Sequence, residues 1–273
     1  MTWHLNIPKE IHFYWSGKMP YLRYLSALSF KRLNPEWKIV LWTSQVKSKI
    51  RTWQSSELNY SLNWDDWTEE YNKLCDEFHE VDFKDFGVSN DMSEVHKSDL
   101  LRYWILSKYG GVYSDTDIVY FKPITELYVN IEENHDKETF VCICNYGHSS
   151  GFFMSSPGSR FFRRMFNEAI KVDLVKYQSN GPDLCNRLFP TIGSIEAISP
   201  AINIGMDSVY FYNGQHVDKL YQPGELKFPK GSIGVHWYAG SQLSGRFLNN
   251  TNGGLNNLPE NIIGKLCKMS LQL

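Results

Sequence analysis

Residues 98–117 read SDLLRYWILSKYGGVYSDTD. Ser98 or Asp99 is predicted to cap a helix with an apolar middle. The glycine pair that follows is predicted to end it, because glycine readily takes the left-handed conformation found just beyond a helix. The three residues after the glycines are typical of a short strand. This order predicts a helix, a turn and a strand that delivers Asp115 and Asp117 to the end of a sheet.

The two aspartates are separated by Thr116, so along an extended chain both side chains point to the same side. Neighbouring carboxylates repel each other when they are partly desolvated. Mg²⁺ or Mn²⁺ offsets such repulsion, because these hard cations prefer oxygen ligands and bind phosphates as well. Ligands also commonly bind at the ends of strands in open α/β sheets. The pattern favours a cation–diphosphate site, and a surface turn is the alternative, because Asp is common in turns.

The surrounding chain alternates between helical and strand-like patterns. Strands are predicted at 11–16, 37–43, 112–114, 118–121, 139–145, 151–156, 208–213 and 233–239, and helices at 22–32, 98–111 and 160–171. Helices separate the early strands and become rarer later, which predicts an α/β fold with a mixed sheet. The acidic segment 64–86 is predicted to be an amphipathic surface helix, with an acidic flap beside the active site as the alternative.

The composition excludes several classes of protein. With 28 basic and 30 acidic side chains and a net charge of -2, the chain carries no global field for nucleic acid or an anionic membrane. No nucleic-acid partner is therefore expected. Five cysteines without a C-x-x-C pattern argue against a disulfide framework or a zinc ribbon and indicate a reducing compartment.

The sequence shows no signal for export or for crossing a membrane. Its first residues lack the basic and then apolar pattern of a signal peptide, and no apolar run reaches about 18 residues. A cytoplasmic protein is therefore expected. The tail, residues 261–273, has loosely helical apolar spacing with two lysines, so it either packs on the domain or makes a peripheral contact with a membrane surface.

The run 98–117 resembles the signature of the DXD sugar-transfer glycosyltransferases of family 32. The stretch IPKEIHFYWSGKMP (7–20) is similar to the opening strand of that family, and the resemblance extends well to about residue 125. The family includes yeast-type mannosyltransferases and bacterial capsule and lipopolysaccharide enzymes, and its core is related to clostridial glucosylating toxins.

The resemblance implies a GT-A fold, a single domain that spans residues 1–273. A Rossmann-like nucleotide-sugar-binding half would lie at about 7–125. An acceptor-binding half with a closing C-terminal segment would lie at about 126–273.

The resemblance also implies four catalytic residues. Asp117 would be a direct ligand of Mn²⁺ or Mg²⁺, and Asp115 would contact the ribose or the donor sugar and take part in the metal site. Asp99 would accept hydrogen bonds from sugar hydroxyls, and Arg102 would donate to the sugar or a phosphate. From the sequence alone, Asp99 and Arg102 also fit a surface ion pair, because they are three apart on a helix.

Further binding residues come from the two ends of the chain. Trp15, with its neighbour Tyr14, would contact the nucleotide base, although core packing is an equal alternative for Trp15. In VHWYAGSQLSG (235–245), which resembles the family's closing segment, His236 would complete the metal site or bind a phosphate, and Ser241 would contact a phosphate. The family usually has Ser-Trp where this chain has Ser241-Gln242, so no closing tryptophan is expected.

The function that the resemblance implies is a retaining, metal-dependent hexosyltransferase. It would move galactose or glucose from a UDP-sugar to a glycan or lipid-linked glycan in bacterial surface polysaccharide synthesis. No residue stands out as a covalent nucleophile, so the family's front-face substitution is expected. The alternatives are a catalytically silent nucleotide-sugar-binding protein, a protein-modifying glycosyltransferase, and a phosphatase or nucleotidase.

Overall fold

The protein is described by a computed structural model that covers residues 6–50, 64–127, 134, 136–174, 176, 178–212 and 216–272. Its strands are β1 (Glu10–Tyr14), β2 (Lys38–Ser44), β3 (Glu77–Val81), β4 (Gly111–Ser114), β5 (Ile118–Tyr120), β6 (Thr139–Cys144), β7 (Gly147–Ser155), β8 (Ala201–Asn203) and β9 (Gly234–His236).

The α-helices of the described residues lie between these strands and after them. They are α1 (Tyr21–Leu33), α2 (Thr68–Leu74), α3 (Glu94–Lys108), α4 (Arg160–Ala169), α5 (Pro182–Leu188), α6 (Ile192–Glu196), α7 (Val217–Leu220), α8 (Gln242–Asn250) and α9 (Ile262–Gln272). Short 3₁₀ turns occur at Phe83–Phe86, Ile124–Glu126 and Met206–Ser208.

Seven strands form the main sheet in the order β3-β2-β1-β4-β7-β6-β8, and β5 and β9 form a separate antiparallel pair. Strands β1 to β4 run parallel to one another, whereas β7 is antiparallel to both β4 and β6. This confirms the predicted α/β class with a mixed sheet. Because β1, β2 and β4 are parallel, their carboxyl ends meet at one edge, where the functional residues are expected.

The two faces of the main sheet bury separate apolar clusters. On one face, Phe13 and Leu41 pack with Phe30 of α1 and Tyr71 of α2. On the other, residues of β1, β2, β4 and β7 pack with α3, α4 and α5. A third cluster joins α1, the small sheet, α8 and α9. Helix α1 therefore holds the small sheet against the main sheet, and the loop between β4 and β5 crosses from one to the other.

The helix before the aspartates begins earlier than predicted. Its N-cap is Ser93, whose hydroxyl accepts a hydrogen bond from the His96 amide at 3.3 Å. The prediction that Ser98 or Asp99 caps the helix is therefore wrong. Asp99 instead lies inside α3, where its side chain is buried against the sheet. At the other end Gly110 has the predicted left-handed conformation, with a φ of 70°.

The acidic segment 64–86 is not one amphipathic helix, and that prediction is wrong. It forms the short helix α2 and then β3, because β2 offers an unpaired edge with which residues 77–81 form a parallel ladder. Its beginning lies against the loop after β1, since the Trp67 amide donates to the Met19 carbonyl at 2.9 Å. The acidic-flap alternative stays a prediction.

Two further differences concern the late strands. Residues 208–212 form no strand, although one was predicted at 208–213, and residue 213 lies outside the described residues. The amide of Tyr210 turns back to the Met206 carbonyl at 2.7 Å, so the chain bends there. Strand β8, which was not predicted, extends the main sheet beside β6.

The C-terminal helix α9 uses its apolar residues inside the protein. Ile263, Leu266 and Cys267 are fully buried in the cluster shared with α1 and the small sheet. This is the packing alternative predicted for the tail. Among the described residues no helix is long and apolar enough to span a bilayer. The five cysteines are all free thiols, as their spacing predicts.

Candidate active site

Asp115 and Asp117 are fixed by backbone bonds from two different directions. The Asp115 amide donates to the Gly151 carbonyl of β7 at 2.7 Å, and the Asp117 carbonyl accepts from the Trp237 amide at 2.9 Å. Thr116 and Asp117 form a turn and are not extended as the predicted alternation requires. The two carboxylates nevertheless face a common site, because the turn lies between the main sheet and the small sheet.

His236 meets Asp117 at this junction. Strand β9 carries His236 opposite Ile118, and its Nε2 lies 3.1 Å from Asp117 Oδ1. The Ala239 amide donates to Asp117 Oδ2 at 3.0 Å. Burial by itself raises the pKa of Asp117, but His236, Arg23 and the Ala239 amide outweigh it and hold this pKa well below its usual range. Asp117 is therefore ionised at any ordinary pH.

Asp99 and Arg102 form a buried pair and not a surface ion pair. Arg102 Nη2 lies 2.9 Å from Asp99 Oδ1 and 3.3 Å from Asp115 Oδ1. The Asp99 and Arg102 side chains are only 5% and 4% exposed. Arg102 also donates to the Ser150 carbonyl and, at 3.0 Å, to the Ser98 hydroxyl. Arg102 therefore links helix α3 and strand β7 to residues 115–117, which we call the aspartate turn.

A single guanidinium serves the buried Asp99 carboxylate and the partly exposed Asp115 carboxylate in this arrangement. Burial raises the pKa of Asp99 to about 7 against the lowering effect of Arg102. Burial also raises the pKa of Asp115; Arg102 opposes this, and the charge of Asp117 adds to it. Arg23 also lies close enough to lower the pKa values of Asp115 and Asp117, so three carboxylates face two guanidinium groups and one imidazole. One carboxylate has no guanidinium partner, which favours a bound cation or a retained proton.

Asp115, Asp117 and His236 offer ligand atoms that lie within 4.8 Å of one another. Carboxylate oxygens with one imidazole nitrogen are a donor set that a divalent cation accepts. The buried Nδ1 of His236 has no hydrogen-bond partner among the described residues, so His236 has a free ring nitrogen as well as the one that faces Asp117. The residues present therefore fit the predicted divalent cation.

The structure separates the neighbours Tyr14 and Trp15. The Tyr14 hydroxyl donates to Glu94 and is buried on the α3 face of the sheet. Trp15 is half-buried beyond the end of β1, and its ring packs on the opposite cluster. Arg23 Cζ lies 4.6 Å from the centre of the Trp15 ring. Only Trp15 therefore lies on the side of the sheet that also carries Arg23.

Ser241 caps helix α8 and does not stand free for a phosphate. Its hydroxyl accepts from the Ser244 amide at 3.2 Å and lies 2.6 Å from the Ser244 hydroxyl. The cap follows Tyr238, which has a φ of 53° and turns the chain so that Ala239 reaches Asp117. The predicted phosphate contact of Ser241 stays a prediction.

Arg23 and two glycines lie at the site although the sequence did not predict them there. Arg23 Nη1 donates to the Thr116 hydroxyl at 2.6 Å, so helix α1 supplies a cation beside the aspartate turn. A Cβ on Gly151 would lie 2.5 Å from Asp115 Oδ2, and a Cβ on Gly181 would lie 2.9 Å from Asp99 Oδ1. These positions need glycine for close approach to a carboxylate. No local motif marks them, since the contacts join distant parts of the chain.

Residues 24–138 match the family described as the glycosyltransferase sugar-binding region containing a DXD motif. The matched region includes Asp99, Arg102, Asp115 and Asp117. This part of the chain is therefore similar to that family of DXD-containing glycosyltransferase regions.

A curated relative is the inositol phosphoceramide mannosyltransferase 1 of Schizosaccharomyces pombe, which is 26% identical over 172 residues. The alignment covers 61% of this chain and 44% of the relative, so the chain matches less than half of that protein's length.

Three solved glycosyltransferase structures show partial similarity to this chain. The PaToxG glycosyltransferase is 15% identical with a TM-score of 0.49, over 70% of this chain and 73% of its own. The galactosyltransferase LgtC is 16% identical with a TM-score of 0.43, over 84% and 86%. The glycosyltransferase GlyE of Streptococcus pneumoniae is 13% identical with a TM-score of 0.49, over 97% and 60%.

Proposed function

We propose that this protein is a metal-dependent glycosyltransferase of the GT-A type that transfers a hexose from a nucleotide-diphosphate sugar to a glycan. The observation that carries the proposal is the grouping of Asp115, Asp117 and His236 within 4.8 Å of one another, beside the buried Asp99–Arg102 pair. The family match covers the four residues of this grouping that come from α3 and the aspartate turn.

The cation would be held by Asp115, Asp117 and His236. When bound, Mn²⁺ or Mg²⁺ supplies positive charge that neutralises the diphosphate and favours its departure. Asp117 is suited to this role because it is ionised and held rigidly by the His236 ring and the Ala239 amide. Mn²⁺ is favoured over Mg²⁺ in this proposal because the set includes an imidazole nitrogen.

The roles of Asp99 and Arg102 follow from their burial. Asp99 is an acceptor placed for sugar hydroxyls. Arg102 holds the Asp99 and Asp115 carboxylates in one orientation, and its second Nη1 N–H would donate to the sugar or a phosphate. A buried site that keeps water from these groups strengthens their electrostatic interactions with substrate. In this proposal the transfer retains the anomeric configuration by a front-face substitution, in which the leaving phosphate helps to deprotonate the acceptor.

The donor is proposed to be a UDP-hexose, with galactose or glucose as the sugar and Trp15 stacked on the base. The acceptor is proposed to be a glycan or lipid-linked glycan of a bacterial surface polysaccharide. The name of the S. pombe relative gives mannose as the sugar and inositol phosphoceramide as the acceptor, so mannose donors and lipid acceptors belong in the test. We place the reaction in the cytoplasm, where the free thiols stay reduced.

Slow hydrolysis of donor sugars tests the proposal without knowledge of the acceptor. UDP- and GDP-sugars are incubated with Mn²⁺, Mg²⁺ or EDTA and the released nucleotide is measured. Release of one nucleotide is expected with a divalent cation and not with EDTA. Asp117→Asn is expected to lose it by at least about 100-fold, because a cation ligand is removed. Asp85→Asn, a change of the same kind at an exposed position, is the matched control.

Calorimetry separates the alternatives if no donor is hydrolysed. Metal-dependent donor binding without release, also in the presence of glycan acceptors, would favour the catalytically silent nucleotide-sugar-binding protein. Neither binding nor release with any donor would remove the glycosyltransferase proposal.

A further inference from the structure

Tyr210 is a buried side chain at the aspartate turn for which the proposed function gives no role. It lies in the bend that follows Met206–Ser208, and its side chain is 3% exposed. Its ring centre is 5.0 Å from that of His236. The backbone of the neighbouring Val209 accepts from the His236 amide at 2.8 Å, so Tyr210 is carried by the same contact that places His236.

The hydroxyl of Tyr210 has no hydrogen-bond partner in the described part of the chain. Burying a hydroxyl without a partner is unfavourable, and native proteins keep few such groups. A phenylalanine at this position would fill the same space without that cost. Tyr71 also buries a hydroxyl without a partner among the described residues, so the use of the Tyr210 hydroxyl has to be argued from where it points.

Gly151 shows where this hydroxyl points. A Cβ placed on Gly151 would lie 2.8 Å from Tyr210 Oη and 2.5 Å from Asp115 Oδ2. Both oxygens therefore face the same side of Gly151, on the strand whose carbonyl accepts from the Asp115 amide. We call this place the Gly151 notch, bounded by Gly151, Tyr210 Oη and Asp115 Oδ2.

The two oxygens of the notch have opposite hydrogen-bonding capacity. The Tyr210 hydroxyl is a phenol, which carries a proton at neutral pH and can donate it in a hydrogen bond. A carboxylate oxygen such as Asp115 Oδ2 accepts. A ligand hydroxyl satisfies both at once, because it accepts from Tyr210 and donates to Asp115. A phosphate oxygen only accepts, and it would face the negative charge of Asp115.

We propose that Tyr210 is a further substrate-binding residue, whose hydroxyl donates to a sugar hydroxyl of the donor that also donates to Asp115. This inference rests on the proposed function, since it requires a nucleotide sugar at the aspartate turn. The hydroxyl belongs either to the ribose or to the transferred hexose, and the same chemistry serves both. Gly151 has no side chain because any Cβ would close the notch.

Tyr210→Phe tests the inference because it removes only the hydroxyl. Binding of UDP and of UDP-glucose, each with Mn²⁺, is measured by calorimetry together with the melting temperature of the free protein. We expect the affinity of Tyr210→Phe to fall about tenfold, as for one lost hydrogen bond whose ligand partner is left unpaired. The melting temperature of the free variant should be equal to or above that of the wild type. A loss with UDP assigns the contact to the ribose, and a loss with UDP-glucose alone assigns it to the hexose.

Tyr71→Phe is the matched control. Tyr71 is fully buried, its hydroxyl also has no partner among the described residues, and it packs against Phe13 and Tyr24 away from the aspartates. The control removes the same group under the same burial and should leave both affinities unchanged.

Three results would overturn the inference while the proposed function stands. The first is that Tyr210→Phe binds both ligands with the affinity of the wild type. The second is that its melting temperature falls by several degrees while both affinities stay unchanged. The third is that Tyr210→Phe binds Mn²⁺ alone more weakly than the wild type does. If the wild type binds neither UDP nor UDP-glucose, nor any other nucleotide sugar, the proposed function fails, and this inference fails with it.

Discussion

Helix α3 carries two buried groups of charged residues that differ in how well their charges are matched. In the first, which we call the Lys97 cluster, Lys97 is fully buried and donates to the Ser44 hydroxyl, the Val46 carbonyl and Glu94 at 2.6 to 3.1 Å. Glu94 also accepts from the Tyr14 hydroxyl and from a loop amide. One cation meets one anion here, and all three ammonium hydrogens have acceptors.

The second group, the carboxylate cluster, consists of Asp99, Arg102, Asp115, Asp117 and His236. Here three carboxylates share the guanidinium of Arg102, the imidazole of His236 and the nearby guanidinium of Arg23, and the pKa values of Asp99 and Asp115 are raised. Burial is similar in the two clusters, so burial alone does not mark a functional site. The surplus of carboxylates over guanidinium groups does, because a bound cation would balance it.

The largest expected effect is the loss of donor turnover when Asp99 of the carboxylate cluster is replaced. Asp99→Ala should lower donor turnover about 1000-fold, or about 4 kcal/mol, because it removes a buried acceptor for the substrate and frees Arg102. The fold should remain, because a carboxylate whose pKa burial raises is not itself stabilised by being charged. Turnover and circular dichroism spectra of the variant check both statements. Turnover near that of the wild type would remove Asp99 from the site.

A substitution in the Lys97 cluster should lower the stability of the fold and not the turnover. Lys97→Met leaves Glu94 without its buried cation and should lower the free energy of unfolding by about 3 kcal/mol. The turnover per folded molecule should stay within a few-fold of the wild type. Denaturant unfolding and turnover, measured on the same sample, compare the two effects. A stable variant without turnover would show that the Lys97 cluster also serves the reaction.

The pH dependence of stability distinguishes Asp99 from Asp117 within the carboxylate cluster by sign. The pKa of Asp99 rises on folding from 3.8 to about 7, so the folded state binds more protons than the unfolded chain between these values. Stability is then highest below pH 4 as far as this group is concerned, and it falls as the pH rises toward 7. Asp117 has the opposite sign, but its effect lies below pH 4 because its pKa is lowered.

Asp99→Asn should therefore flatten the decline in stability between pH 5 and 7 by about 2 kcal/mol, since one pKa unit equals about 1.4 kcal/mol. The free energy of unfolding at pH 5, 6 and 7 measures this effect. Asp85→Asn, at an exposed position, should leave the decline unchanged. A parallel decline in Asp99→Asn and the wild type would mean that Asp99 is ionised throughout.

The carboxylate cluster was largely predictable from the sequence, whereas the Lys97 cluster was not. Asp99, Arg102, Asp115 and Asp117 lie within one continuous run, so their order and the glycine pair between them carry the signal. Lys97 is a polar residue near the start of a helix, and such a residue is ordinarily exposed. Its burial depends on the loop after β2, which no local pattern connects to α3.

Contacts between distant parts of the chain also explain the errors in the predicted fold. The prediction for residues 64–86 followed their helical spacing, but the open edge of β2 recruits residues 77–81 as a strand, and Phe78 stays half exposed there. Arg23, Gly151 and Tyr210 reach the site through pairing between distant elements. Local patterns therefore predicted the central strands and helices, and long-range contacts determined the edges and much of the lining of the site.

Tyr14 and Trp15 give the smallest and most direct test of the comparison. Tyr14 donates to Glu94 of the Lys97 cluster, whereas its neighbour Trp15 contacts Arg23 beside the carboxylate cluster. Trp15→Ala should weaken UDP binding about tenfold, since stacking of a base on an aromatic ring contributes about 1–3 kcal/mol. Tyr14→Phe should leave UDP binding unchanged and lower the free energy of unfolding by about 1 kcal/mol, because the Glu94 carboxylate loses a donor. Calorimetry with UDP and denaturant unfolding of both variants measure the two effects. Weaker UDP binding in Tyr14→Phe would return Tyr14 to the nucleotide site, and unchanged binding in Trp15→Ala would make Trp15 a packing residue that holds the loop after β1 against Arg23.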